Sequence, residues 1–323
     1  MNLQEITKPV HEEMKTLDEH FRAAMRSKVS YVDLITRYIV RQKGKKIRPV
    51  LVLLTAKACG SINESTYRGA SLVEILHTAT LIHDDVVDDA DTRRGLASIN
   101  AVWKNKIAVL MGDYLLAKGL LLSLDNDDFF FLKIISDSVR RMSEAEILQI
   151  AKSRQLDIDE ATYLKIISDK TASLLSTCTQ IGCASVTDDK TVLGKMKEFG
   201  ENVGMVFQIR DDLLDYVGRK SITGKPSGTD VKEKKLTLPL IHSLSKAPRS
   251  QSKHILGIIR NGAARKEIQT VVDFAHEFGG IDYAIRKAGE YSERAQEALT
   301  VLAPSPSRNS LVEFVTFVLD RSK

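Results

Sequence analysis

Apolar residues recur three and four positions apart along most of this chain, the spacing that gathers one face of an α-helix. Ile35 to Ala58 shows the pattern first, and Glu74 to Val87 repeats it in EILHTATLIHDDVV. Ile107–Leu124, Phe129–Ile150, Ala161–Ala184, Lys190–Val217 and Val271–Leu302 keep the same period, while strand-like alternation is nearly absent. Segments with turn chemistry separate the helical windows: Gly60–Ser65, Asp91–Ser98, Asp125–Asp128, Asp157–Asp159, Thr187–Asp189, Gly218–Asp230 and Ser245–Ser252. No linker, fixed-period repeat or low-complexity tract divides the chain before Pro304–Ser310. The expectation is an all-α protein, a single domain over residues 1–323 with ten or more helices.

Composition narrows the function. Only 7 Pro and 18 Gly in 323 residues leave few breakers, which favours long helices. Lys and Arg number 47 against 42 Asp and Glu, a net charge of +5 that is too dilute for a nucleic-acid binder. Three cysteines, Cys59, Cys178 and Cys183, form no C-x-x-C pair, which argues against a disulfide framework or thiolate zinc site and suits a reducing compartment. The polar start MNLQEITKPVHEEMK does not read as a secretory leader. Asp113 and Lys118 interrupt the apolar stretch Ile107–Leu124, so no stable membrane insertion is expected and the chain reads as cytoplasmic.

Two places depart from an ordinary amphipathic bundle. LIHDDVVDDADTRRG sets Asp84, Asp85, Asp88, Asp89 and Asp91 at the end of an apolar helix, and FQIRDDLLDYVG sets Asp211, Asp212 and Asp215 in another. Both contain D-D-x-x-D, whose i and i+4 carboxylates share a helix face: Asp84 with Asp88, and Asp211 with Asp215. Like charges at that spacing destabilise a helix, and a hard divalent cation taking oxygen ligands would offset the cost. A solvated acidic helix end is the alternative for either motif alone. It weakens because Leu81, Ile82, Val86 and Val87 interleave with the first, and Val206, Phe207, Ile209, Leu213 and Leu214 with the second.

Mg²⁺ is normally held by one or two carboxylates together with substrate phosphates, and those phosphates need cations of their own. Candidates are Lys45, Lys46 and Arg48, then Arg93 and Arg94, then Lys170 beside Thr171, then Lys225 and Lys235. No G-x-x-x-x-G-K-[ST] is present, which excludes a nucleotide P-loop.

These motifs, in this order, resemble the trans-isoprenyl diphosphate synthases of the polyprenyl synthetase family. The resemblance runs from Gly44-Lys45 to Asp320-Arg321 and rests on LVEILHTATLIHDDVVDDADTRRG, GMVFQIRDDLLDYVG, Lys170-Thr171 and Lys235-Leu236-Thr237-Leu238-Pro239. Lys43, Lys46 and Lys234 depart from the usual pattern without removing a functional group. The resemblance implies the isoprenoid synthase fold, a helical bundle around a deep central cavity, usually as a homodimer. Asp84, Asp88 and Asp211 would bind Mg²⁺, three ions per site, with Asp85, Asp212 and Asp215 in support. Arg93, Lys170, Thr171, Gln208, Lys225 and Lys235 would hold the allylic diphosphate. Lys45, Arg48, His77 and Arg94 would hold isopentenyl diphosphate.

The implied reaction is prenyl transfer through an allylic cation. Rivals are a class I terpene cyclase, which needs one diphosphate site and usually carries an Asn/Ser/Glu second metal motif, and a non-catalytic partner subunit, which typically loses aspartates. Two complete D-D-x-x-D motifs disfavour both. In this family product length depends on the residues just before the first motif. Ala79 and Thr80 are small and Leu76 is aliphatic where short-chain enzymes commonly place an aromatic ring. That implies a long, octaprenyl-like product for quinone side chains, with a farnesyl or geranylgeranyl diphosphate synthase as the alternative.

Overall fold

Helix boundaries follow local capping chemistry. In the computed structural model, which describes residues 2–42, 44–93, 95–217 and 228–321, the first half of the chain forms α1 (Leu3–Ile6), α2 (His11–Met25), α3 (Ser30–Arg41), α4 (Ile47–Cys59), α5 (Glu64–Val87), α6 (Ile99–Leu124) and α7 (Phe129–Gln155). The second half forms α8 (Glu160–Ile167), α9 (Ser173–Ala184), α10 (Lys190–Val217), α11 (Thr229–Lys232), α12 (Leu238–Lys246), α13 (Arg249–Arg260), α14 (Arg265–Glu277), α15 (Gly280–Ala298) and α16 (Pro306–Leu319). Asn63, Ser98 and Asp159 cap α5, α6 and α8, each accepting a backbone N–H of the first turn through its side-chain oxygen.

Three periodic windows prove to be composite. Ile35–Ala58 spans α3 and α4, and the chain restarts through Lys46 in a left-handed conformation (φ 48°). Ala161–Ala184 spans α8, a π-helical turn at Ser168–Ala172, and α9. Val271–Leu302 breaks at Gly279 (φ 70°), between α14 and α15, and ends in a 3₁₀ turn at Leu299–Val301. Periodicity persists across each break because the segments on both sides bury an apolar face, even where, as for α3 and α4, they enter different cores. Pro304–Ser310, read as a linker, instead starts α16: Ser305 caps it and Pro306 occupies its first position, where no N–H is missed. The one short sheet among the described residues pairs Thr92–Arg93 with Leu96–Ala97.

Helix α5 is the axis of the fold. Apolar residues are buried on most of its faces, so it sits inside the bundle instead of lying on it. Leu72, Val73 and Leu76 join Leu51–Leu54 of α4, Phe131 of α7, Ile181 of α9 and Phe199 of α10 in the largest core. Ile75, Ala79 and Ile82 join Met25, Ile35, Ile39, Met111 and Leu115 in another. The third core, with Tyr163, Ile209, Leu213 and Leu238, ties α10 to the C-terminal helices.

Helix α6 corrects one expectation. Asp113 and Lys118 do not interrupt it, and by length and composition alone it could cross a membrane. The chain kinks at Lys104, and only part of the helix is covered. Met111, Leu115 and Gly119 are buried on its inner side, whereas Val102, Val109, Leu110, Leu121 and Leu124 are exposed. Phe129 and Phe130, at the start of α7, are exposed as well.

Candidate active site

Close helix packing assembles the site from α10 and the π turn. A Cβ at Gly204 would run into the backbone of Ala172, so glycine there lets α10 press against Ser168–Ala172. One turn further along α10, Gln208 Oε1 accepts a bond from Thr171 Oγ1 at 2.7 Å. Gln208 Nε2 donates to Asp212 Oδ1 at 2.8 Å, and Tyr163 of α8 donates to Asp212 Oδ2 at 2.6 Å. The wide π turn aims Lys170 and Thr171 at the cavity while Asp169 is held by Arg141 and Lys165.

The three aspartates of the second motif have different environments. Asp211 is half exposed, with Arg321 Nη1 at 3.7 Å. Asp212 is buried, and burial pushes its pKa up to about 6 against the downward pull of the Tyr163 and Gln208 bonds. Asp215 faces the returning chain. Its Oδ1 accepts the N–H groups of Gly228 (2.9 Å) and Thr229 (3.0 Å), and its Oδ2 that of Asp230 (3.0 Å). Burial raises its pKa although these bonds oppose the shift. The i,i+4 pairing of Asp211 with Asp215 therefore does not yield two available carboxylates.

In the first motif Asp84 closes the last turn of α5, and Asp88 caps it by donating its N–H to Asp84 O at 2.8 Å. Both side chains are accessible, yet the surrounding protein raises the pKa of Asp84, with Glu146 and Asp88 adding to the effect and Lys170 opposing it. Asp85 points the other way. It is buried and ion-paired with Arg93, whose Nε donates to Oδ1 at 2.8 Å.

A cavity of about 460 Å³ lies between the motifs, lined by Asp88, Asp211, Lys170, Thr171, Gln208 and Lys235 among others. Lys235 pairs with Glu233 at 2.6 Å; burial works to lower its pKa, but that bond and the charges of Asp230 and Asp88 leave it raised. Arg93 is not on this wall. With Gly44 and Lys46 it lines a second cleft of about 300 Å³ beside Glu74, Thr78 and Asp85 of α5. Arg48 Nη1 donates to His77 Nε2 at 2.8 Å, which requires that nitrogen to be unprotonated, and Lys45 is exposed nearby in the chain. Lys43, Arg94 and Lys225 lie outside the described residues. Thr80 Oγ1 bonds to His77 O at 2.9 Å, while Leu76 and Ala79 are buried within two different apolar cores.

Several residues of the site had no sequence signal beyond their type. Tyr163 resembles any core aromatic, and Glu146 and Gln149 resemble a polar helix face. Asp230 resembles an ordinary acid in a helix's first turn, yet it lines the cavity with a pKa pushed up to about 8 by burial and then by Asp212 and Asp215.

Among the described residues no three His, Cys, Asp or Glu side chains already form a metal cage. Asp84, Asp88 and Asp211 are accessible all-oxygen donors, and such a partial set fits Mg²⁺, which takes its remaining ligands from phosphate and water.

The family model for polyprenyl synthetase matches residues 29–275. An all-trans-nonaprenyl-diphosphate synthase (geranyl-diphosphate specific) of Rhodobacter capsulatus is 36% identical over 319 residues, covering 98% of each chain. The octaprenyl diphosphate synthase of Escherichia coli (strain K12) is 32% identical over 325 residues, covering 100% of both. Among solved structures, a polyprenyl synthase from Caulobacter crescentus CB15, complexed with calcium and isoprenyl diphosphate, superposes with a TM-score of 0.90 at 29% identity. That match covers 100% of this chain and 98% of the other.

Proposed function

This chain belongs to the polyprenyl synthetase family and is a prenyltransferase, and we propose that it extends an allylic diphosphate with isopentenyl diphosphate to a long, octaprenyl-like product destined for quinone side chains. The observation that carries the site assignment is the meeting of Asp88 and Asp211 with Lys170 and Lys235 around one cavity, with Asp84 close enough to feel the charge of Lys170. Asp84, Asp88 and Asp211 hold magnesium, three ions in the full complex. Bound there, magnesium supplies Lewis-acid neutralisation of the departing diphosphate's charge.

The chain's own groups do the rest. Lys170, Lys235, Thr171 and Gln208 bind the allylic diphosphate, and their placement before reaction begins avoids reorganisation as charge develops. Arg93 and Lys225 belong to the same assignment by the family resemblance, although Arg93 is paired with Asp85 and lines the second cleft. Arg48, His77, Lys45 and Arg94 bind isopentenyl diphosphate so that its double bond faces the allylic carbon. Carbon–carbon bond formation leaves a proton to be lost, and the departing diphosphate accepts it. The apolar residues lining the cavity, Ile166, Ile167, Leu214 and Leu236 among them, keep water from the cation.

Small residues at Ala79 and Thr80, and full-length similarity to enzymes named for octaprenyl and nonaprenyl products, support a long product. The hydrocarbon would have to part the core that Ala79 shares with Met111 and Leu115, and methionine repacks readily. One observation favours a second, short-chain reading: Leu76 is only 1% exposed, so the floor below Ala79 is closed in this state. Incubation with both diphosphates and chromatography of the products decides between them. A single cyclised or unextended product would refute the synthase assignment, and a stop at farnesyl or geranylgeranyl would refute the long one.

The exposed apolar side of α6, continued by Phe129 and Phe130, supports a homodimer in which a second copy covers it. Its inner side packs against α5, so we read α6 as an interface helix of a cytoplasmic enzyme and not as a span.

A further inference from the structure

Lys170 has partners among the side chains around the cavity. Its ammonium is ion-paired with the carboxylate of Glu146 and donates to Gln149 Oε1 at 3.0 Å. Glu146 and Gln149 are three residues apart on α7, so they present one face to the π turn. Neither belongs to an aspartate motif. Both side chains of the ion pair are 36% exposed, between a solvated surface pair and a buried one. The same two charges act in opposite directions on Asp84, Lys170 favouring its ionised form and Glu146 opposing it.

An incoming diphosphate needs the ammonium that Glu146 holds. While the pair persists, the lysine's charge is compensated and the anion meets a wall rich in aspartates. Lys235 and Glu233, 2.6 Å apart, repeat the arrangement elsewhere on the cavity wall. Glu146 differs from Glu233 in bearing directly on the first aspartate motif.

We propose that Glu146 is a positioning residue for Lys170, holding its ammonium at the cavity wall and yielding it to the allylic diphosphate. Glu146 thereby sets how tightly the cavity takes the diphosphate anion, and competition for one cation is the means. This inference rests on the assignment of Lys170 to the diphosphate.

The test is calorimetric titration of the full-length protein with inorganic diphosphate in EDTA. Glu146→Gln keeps the shape of the side chain and removes its charge, and it should lower the Kd by roughly three- to tenfold. Glu146→Asp keeps the charge and should stay within about twofold of the parent. Lys170→Ala should weaken binding, and adding Glu146→Gln to it should change nothing further. Glu146→Ala gives the same sign should the glutamine variant fail to accumulate. An unchanged Kd in both charge-removing variants would overturn the proposal. So would an equal gain with Lys170 already removed, since Glu146 would then act on the anion itself. If Lys170→Ala alone bound diphosphate as the parent does, the assignment of Lys170 would fall, and this inference with it.

Discussion

Asp215 offers a sharp separation between a metal ligand and a structural carboxylate. Its two oxygens accept three consecutive backbone N–H groups, at 2.9, 3.0 and 3.0 Å, and so tie the end of α10 to the first turn of α11. Gly228, at φ 82°, makes that approach possible. Asp215→Asn can keep both bonds at Oδ1 but turns an amide donor toward the Asp230 N–H. One charge-assisted bond is lost, at a cost of about 1.5–3 kcal/mol. Asp215→Ala loses all three. Water reaches this half-buried position and restores part of the loss, so the expected cost is on the order of 3–5 kcal/mol. For a protein of this size, roughly 2 °C of Tm per kcal/mol gives a fall of about 3–6 °C for the Asn variant and about 6–10 °C for the Ala variant. Thermal unfolding in EDTA measures this without metal, and hydrogen exchange at residues 228–230 reports on the bonds themselves. Asp211→Ala should leave both readouts near the parent, because Asp211 is half exposed and its ion-pair partner lies 3.7 Å away. An Asp215→Ala protein that melts with the parent in EDTA, with those three amides no faster to exchange, would refute the structural role.

The metal assignment predicts that Asp84→Ala or Asp211→Ala, or EDTA on the parent, reduces turnover by orders of magnitude while the helical circular dichroism is unchanged; parental rates in either variant would contradict it. Burial pushes Asp212 up to about 6 and Asp230 up to about 8, so the folded protein binds more protons than the unfolded chain between about pH 4 and pH 8. Stability of the metal-free protein should therefore fall as pH rises through that window, and Asp230→Asn should flatten its upper part. Denaturant midpoints at pH 5, 6.5 and 8 that rise instead would show the sign to be wrong. Ala79→Phe places a ring in a site only 2% exposed, at an overpacking cost of about 1–3 kcal/mol, and should shorten the product while leaving the chemistry intact. An unchanged product distribution would remove Ala79 from the path of the hydrocarbon.

By itself the sequence determined the helical class and the two aspartate motifs. Those features are written locally, as apolar residues at helical spacing and as acids at i and i+4. The same local rule did not reveal where a periodic window changes helix, as at Lys46, Gly279 and the π turn, because core burial is satisfied on both sides of each break. Nor could spacing say which oxygen of a motif stays available. Asp84 and Asp85 are neighbours, but one helix step of about 100° leaves Asp84 exposed within reach of the charge of Lys170 and turns Asp85 inward to Arg93. Asp211 and Asp215 share a face, yet only tertiary structure brings the N–H groups of residues 228–230 to Asp215. The pairing of Lys170 with Glu146 joins residues 24 apart in the chain, and the raised pKa of Asp230 needs Asp212 and Asp215 from another helix. Electrostatics depends on distance in space and on the exclusion of water, and neither is encoded until the helices pack.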